Sequence, residues 1–214
     1  MELSAIQLWR WAGWLLLTGG IIFWIGACAP PYKWWMTRDV NEYLSLIHDN
    51  KKTWYFIAAT FCVGIILSVF GMQLFSLALQ NAGQKVLPQV GFTAFTFGSA
   101  FWILNISFRA TVTVWAADKL SENNLLEPSF KTWMDWTNLI FAIYMVLAYF
   151  SIGCFGYALR EAALLPSWTS WMCMIFGFGG SILYLCRFPF FEPPLMVHAP
   201  LIITGIMILL KIKI

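Results

Sequence analysis

Six apolar runs recur along the chain, at residues 11–28, 53–80, 92–117, 133–159, 168–186 and 197–210. A backbone cannot leave its N–H and C=O groups unpaired in hydrocarbon, and a run of about 20 apolar residues satisfies them within itself only as a helix. The pattern therefore predicts an all-α integral membrane protein, a single bundle of six transmembrane helices. Composition gives no way out of this reading. Hydrophobic residues make up 60% of the 214 positions and charged residues 11%, too few to cover the surface of a water-soluble domain. The net charge of +3 is spread thinly with no run of like charges, which argues against nucleic acid as a partner.

The first run, with Ala27-Cys28-Ala29 near its end, has some features of a removable signal peptide. Its charged start is weak and Pro30-Pro31 follows at once, so it reads as the first membrane helix. Residues 29–52 form the longest polar connection. Within it the alternating charges of TRDVNEYLSLIHDNKK suit a short amphipathic helix on the membrane surface. Asn81–Gly91 reads as a turn, Asp118–Lys131 as the second large loop, and Arg187–Met196 as a proline-stiffened aromatic connection.

Arg109 breaks the apolar pattern. It lies roughly 12 Å inside the polar end marked by Asp118, near the middle of a ~30 Å hydrocarbon layer. An arginine there costs at least ~2.5 kcal/mol without a partner or water. Asn105, Arg109 and Thr113 recur at a spacing of four, a polar stripe on one helix face that must look toward protein. Asp135 and Asn138 give the next helix a matching patch, so an Arg109–Asp135 pair is expected, serving either a ligand site or helix register. The same sequence side carries His48, Arg187, Glu192 and His198 as a lid, with Tyr32, Trp34, Trp35, Phe188, Phe190 and Phe191 at the mouth or in an interfacial belt.

The two histidines are candidate haem or copper ligands with Met196, Cys28 and Cys186 nearby in sequence, against the alternative of ordinary interfacial histidines. No C-x-x-C, C-x-x-C-H or H-x-x-x-H spacing occurs, so no metal site is assigned and the cofactor is left unknown. Cys62, Cys154 and Cys173 read as buried hydrophobes, whereas Cys28 and Cys186 end helices at one level and could form a disulfide. Nucleotide, dinucleotide, serine-hydrolase and zincin motifs are missing. The Asn105-Ile106-Ser107 glycosylation pattern lies inside a span and should be unmodified.

An internal similarity links Trp11-x-x-Trp14, Gly19-Gly20, Cys28 and Pro30-Pro31 to Trp168-x-x-Trp171, Gly179-Gly180, Cys186 and Pro193-Pro194. It stands either for a parallel repeat of hairpin 1-2 and hairpin 5-6 or for shared interfacial anchoring. Six spans put both termini on one side. That side holds Arg10, Lys85, Arg160, Lys211 and Lys213 against Glu2 and Glu161, an uncompensated positive charge read as cytoplasmic. The expected function is binding of a small amphipath (lipid, quinone or pigment) at Asn105, Arg109, Thr113, Asp135 and Asn138 beneath the histidine lid, or service as a subunit of a larger membrane complex. The expected partners are membrane lipids and other membrane subunits. No catalytic residue is assigned. A membrane redox protein or enzyme with a histidine or carboxylate site, and a small transporter with an Arg–Asp gate, are the alternatives.

Overall fold

The computed structural model describes residues 4–30, 37, 39–123 and 126–212. Among these the chain is all helix and turn, with six helices long and apolar enough to cross a membrane. We number them with one short surface helix: α1 (Ala5–Ala27), α2 (Val40–Asp49), α3 (Lys51–Asn81), α4 (Val86–Asn123), α5 (Pro128–Ala162), α6 (Ser167–Leu185) and α7 (Leu195–Ile212). Large apolar side chains such as Trp14, Ile25, Phe56, Phe70, Phe97, Leu104 and Ile182 point outward around the bundle, as suits a protein solvated by lipid.

The ends of these helices follow from local chemistry. Ser4 opens α1 with a capping box, its hydroxyl accepting from the Gln7 amide while the Gln7 side chain accepts from the Ser4 amide. Asp39 caps α2 by accepting from the Glu42 amide at 2.8 Å. Helix boundaries lie beyond those read from hydropathy, with α1 itself starting at Ala5, ahead of the apolar run at 11. Pro88, expected in a turn, falls in the first turn of α4, where its missing N–H costs no intrahelical bond. Pro128 likewise starts α5 five residues before the apolar run. At its other end α4 continues through Asp118, Lys119 and Glu122, so its 38 residues measure about 57 Å against ~30 Å of hydrocarbon. What reads as a polar loop is partly helix, which makes α4 longer than a hydrocarbon layer is thick.

Glycine seams set the packing. Helix α1 lies between α3 and α7, its most extensive neighbours. A Cβ on Gly19 would meet the Gly64 carbonyl oxygen at 2.9 Å, one on Gly64 the Phe23 amide at 2.8 Å, and one on Gly71 the Leu16 amide at 2.9 Å. Backbone thus touches backbone along α1–α3, where the gain comes from close packing, since lipid tails supply no hydrophobic drive between helices. Seven residues apart, Gly13 and Gly20 turn to α7, where a Cβ on Gly205 would meet the Gly13 carbonyl oxygen at 2.8 Å. The α5–α6 contact is as close: Gly177, within a π-turn at Ile175–Gly179, rests on the Gly153 backbone.

The two Trp-Gly-Cys-Pro segments do not pack alike. Gly19 and Gly20 of α1 face α3 and α7, whereas Gly180 of α6 faces Tyr149 of α5 and a Cβ on Gly179 would meet nothing within 4 Å. Helix α6 packs chiefly on α5, the helix before it, and only lightly on α7. All five cysteines are free thiols, Cys28 and Cys186 included. Residues 31–36, with Tyr32, Trp34 and Trp35 of the expected mouth, lie outside the described residues.

These contacts separate two substitutions of one chemistry. Gly64→Ala forces α1 off α3 and should cost roughly 1–3 kcal/mol. Gly179→Ala enters open space and should be neutral or slightly stabilising. Thermal unfolding of the two variants in one detergent checks the difference.

Candidate functional site

Arg109 lies on the inward face of α4, half-buried, one turn beyond Asn105. Asn105 is buried and works in two directions. Its Nδ2 donates to the Thr137 carbonyl of α5 at 2.8 Å, and its Oδ1 accepts from Arg109 Nε at 3.0 Å. The first bond fixes the amide's orientation, which fixes the second. Arg109 Nη1 donates to Tyr43 Oη of α2 at 2.9 Å, and Nη2 reaches Asn138 Oδ1 of α5 at 3.5 Å, the limit of a hydrogen bond. From α3, Trp54 Nε1 donates to the Arg109 carbonyl at 2.9 Å. Four helices therefore meet at one residue.

The acceptors around the guanidinium are neutral. Among the described residues the ion pairs are His48–Asp118, Lys51–Asp118 and Lys119–Glu122, and none includes Arg109. The expected Arg109–Asp135 pair is not formed. Asp135 is exposed, and Asn138, one turn further into α5, presents its amide to the guanidinium. A guanidinium carries five N–H donors; three are directed at side-chain acceptors here, the Asn138 contact being long. The remaining donors lie on the two Nη atoms, one of which reaches the exposed Asn138.

Other residues of the expected site separate. Thr113 is fully buried one turn beyond Arg109, and its Oγ1 has no partner among the described residues. Arg187, in the left-handed region at φ 56°, and Glu192 are both exposed. His48, on α2, pairs its Nδ1 with Asp118 Oδ1 at 2.8 Å, and Lys51 joins the same carboxylate. His198 is wholly buried, stacked on Phe23 at 3.8 Å and bonded through Nε2 to Tyr144 Oη at 3.2 Å. The two histidines thus have separate partners at separate depths, and among the described residues no cluster of three or more His, Cys, Asp or Glu occurs.

Beneath Arg109, Trp102 packs on Phe23, Phe61, Phe141 and Tyr144, closing the bundle centre with aromatic rings. Among the described residues Trp102 Nε1 and His198 Nδ1 in this cluster have no hydrogen-bond partner. A surface concavity of about 440 Å³ lies elsewhere, lined by Val90, Ala94, Phe97 and Phe101 of α4 and Leu147 of α5. It is an open apolar groove on an outward face.

Sequence reasoning missed Tyr43, Trp54 and Asp118. Tyr43 carried a signal, since Tyr43, Leu44 and Ile47 share one face of α2. Trp54 and Asp118 carried none beyond their places at helix ends. No family model matches the chain, and no characterised protein or solved structure is similar to it.

Asn105→Ala should cost roughly 1–3 kcal/mol, because it leaves the Arg109 Nε–H without its acceptor and removes a buried bond to α5. Thr113→Val, which keeps the shape and removes an unpaired hydroxyl, should leave stability unchanged or raise it. Chemical denaturation in mixed micelles checks both.

Proposed function

We propose that this chain is a multi-pass membrane protein that binds a small amphipath through its anionic or carbonyl head at Arg109. One observation carries the reading: among the described residues the half-buried guanidinium is held by neutral acceptors, with N–H donors left over on its Nη atoms. A cation in low-dielectric surroundings favours an anion strongly, and charge-assisted bonds from a guanidinium to carboxylate or phosphate oxygens are about twice as strong as neutral ones. Asn105 and Asn138 orient the guanidinium, and Tyr43 and Trp54 wall the approach. The apolar tail would lie against the aromatic side chains of the bundle or in lipid. Fatty acids, lipids, quinones and pigments with a polar head belong to this class.

The outward aromatic surface suits membrane lipids and other membrane subunits as partners, so service within a larger complex is part of the same proposal. The termini would share the cytoplasmic side, with Arg109 reached from the other face. An Arg–Asp gate has little support once Asp135 stands apart, and a histidine-based redox site is weakened by the separate partners of His48 and His198.

The test uses oleate as a carboxylate probe in native mass spectrometry and thermal unfolding. At a hundred times its Kd the probe should stabilise the protein by about 2.7 kcal/mol, and Arg109→Gln should remove that stabilisation. Equal stabilisation of wild type and Arg109→Gln would exclude Arg109 as the anchor.

A further inference from the structure

The groups that meet Arg109 belong to different kinds of element. Asn105 and Asn138 lie on long membrane helices, whereas Tyr43 belongs to α2, ten residues long. Tyr43, Leu44 and Ile47 form the buried face of α2, and Asn41, Glu42, Ser45 and Asp49 its exposed face. The helix packs mainly on α4 and barely on α3, although a single residue, Asn50, separates it from α3. It is thus a short amphipathic piece laid over α4 on a one-residue hinge.

Beyond that buried apolar face and the edge-on packing of Tyr43 on Trp54 of α3 at 6.0 Å, two polar contacts hold it there. One is Tyr43 Oη on Arg109 Nη1 at 2.9 Å. The other lies at the hinge, where Asp118 of α4 takes His48 from the last turn of α2 and Lys51 from the first turn of α3. Asp118 is about a third exposed, so this ion pair is weak and water can compete for it. The phenol oxygen is a neutral acceptor where a carboxylate or phosphate oxygen would bind more strongly. Tyr43 therefore fills a seat for which an anion is the better occupant.

We propose that α2 is an autoinhibitory lid: Tyr43 occupies the anion seat on Arg109, the Asp118 ion pairs latch the lid shut, and an anionic head binds by displacing it. The ligand part of this rests on the Arg109 reading above; the lid itself does not. Binding then carries the cost of opening, and the apparent affinity falls by the fraction of molecules in which the seat is free. Asn105, by contrast, stays on the guanidinium in both states because its other hand is bonded to α5.

The experiment has two arms. In the first, phenylglyoxal labels arginines of the purified full chain in nanodiscs, and peptide mass spectrometry reads the rate at Arg109 against exposed Arg187. Asp118→Asn and Tyr43→Phe should each raise the Arg109 rate about fivefold or more, with Arg187 unchanged. Unchanged Arg109 rates in both variants would overturn the lid. In the second arm, oleate should bind Tyr43→Phe about tenfold more tightly than wild type, roughly the loss of one hydrogen bond to a charged group. Weaker or equal binding by Tyr43→Phe, with binding still dependent on Arg109, would make Tyr43 part of the ligand site and overturn the competition. If no form binds oleate while Arg109 labelling rises in the variants, the lid stands and the amphipath reading falls.

Discussion

A guanidinium inside an apolar bundle cannot be left to itself, because each unmet N–H and the charge as a whole cost more there than in water. This constraint ties together the mouth of the molecule. To meet Nε, α4 supplies Asn105, whose other end takes a backbone carbonyl of α5. To meet Nη1, α2 folds back over α4 and lowers Tyr43. The backbone of Arg109 is itself an acceptor for Trp54, which brings α3 into register. Removing the charge would leave a set of polar groups aimed at nothing, and removing any one of them would leave the charge short of an acceptor.

The rest of the bundle is built to be rigid around that point. Glycines on two faces of α1 let α3 and α7 approach to backbone contact, and those on α5 and α6 do the same on the far side. Between them Phe23, Phe61, Trp102, Tyr144 and His198 fill the centre with stacked and tilted rings. Pro200 within α7 has no N–H to offer the Met196 carbonyl, and beside it Trp24 Nε1 donates to the Leu195 carbonyl at 2.9 Å, which ties α1 to the start of that helix. Against this frame α2 is a short helix held by a single face. Rigidity below and a hinged piece above is the arrangement a gated binding site needs.

Hydropathy made the six spans legible because a membrane helix must be apolar over its whole length, a requirement no tertiary contact can relax. It misplaced helix ends for the same reason. Val86 to Gly91 and Pro128 to Thr132 are helical without being a sustained apolar run, and helical geometry asks nothing of hydropathy beyond the bilayer. The Asn105–Arg109 stripe was legible from a spacing of four on one helix. The partner across the gap was not. Asp135 and Asn138 lie on adjoining faces of α5, and which of them meets Arg109 depends on how α5 is rotated. That rotation is fixed by Asn105 on the Thr137 carbonyl, a bond invisible in sequence. His48 and His198 looked like a pair because both fall on the same sequence side, yet one is in the last turn of a surface helix and the other is three residues inside α7.

The central claim is that Arg109 is held by neutral groups and that its charge is therefore available. Double-mutant cycles on stability test it most directly, one pairing Arg109→Gln with Asp135→Asn and the other pairing Arg109→Gln with Asn105→Ala. The account predicts a coupling near zero for Asp135, within about 0.5 kcal/mol, and above about 1 kcal/mol for Asn105. A coupling with Asp135 as large as that with Asn105 would mean that the charge is already neutralised within the protein, which contradicts the account.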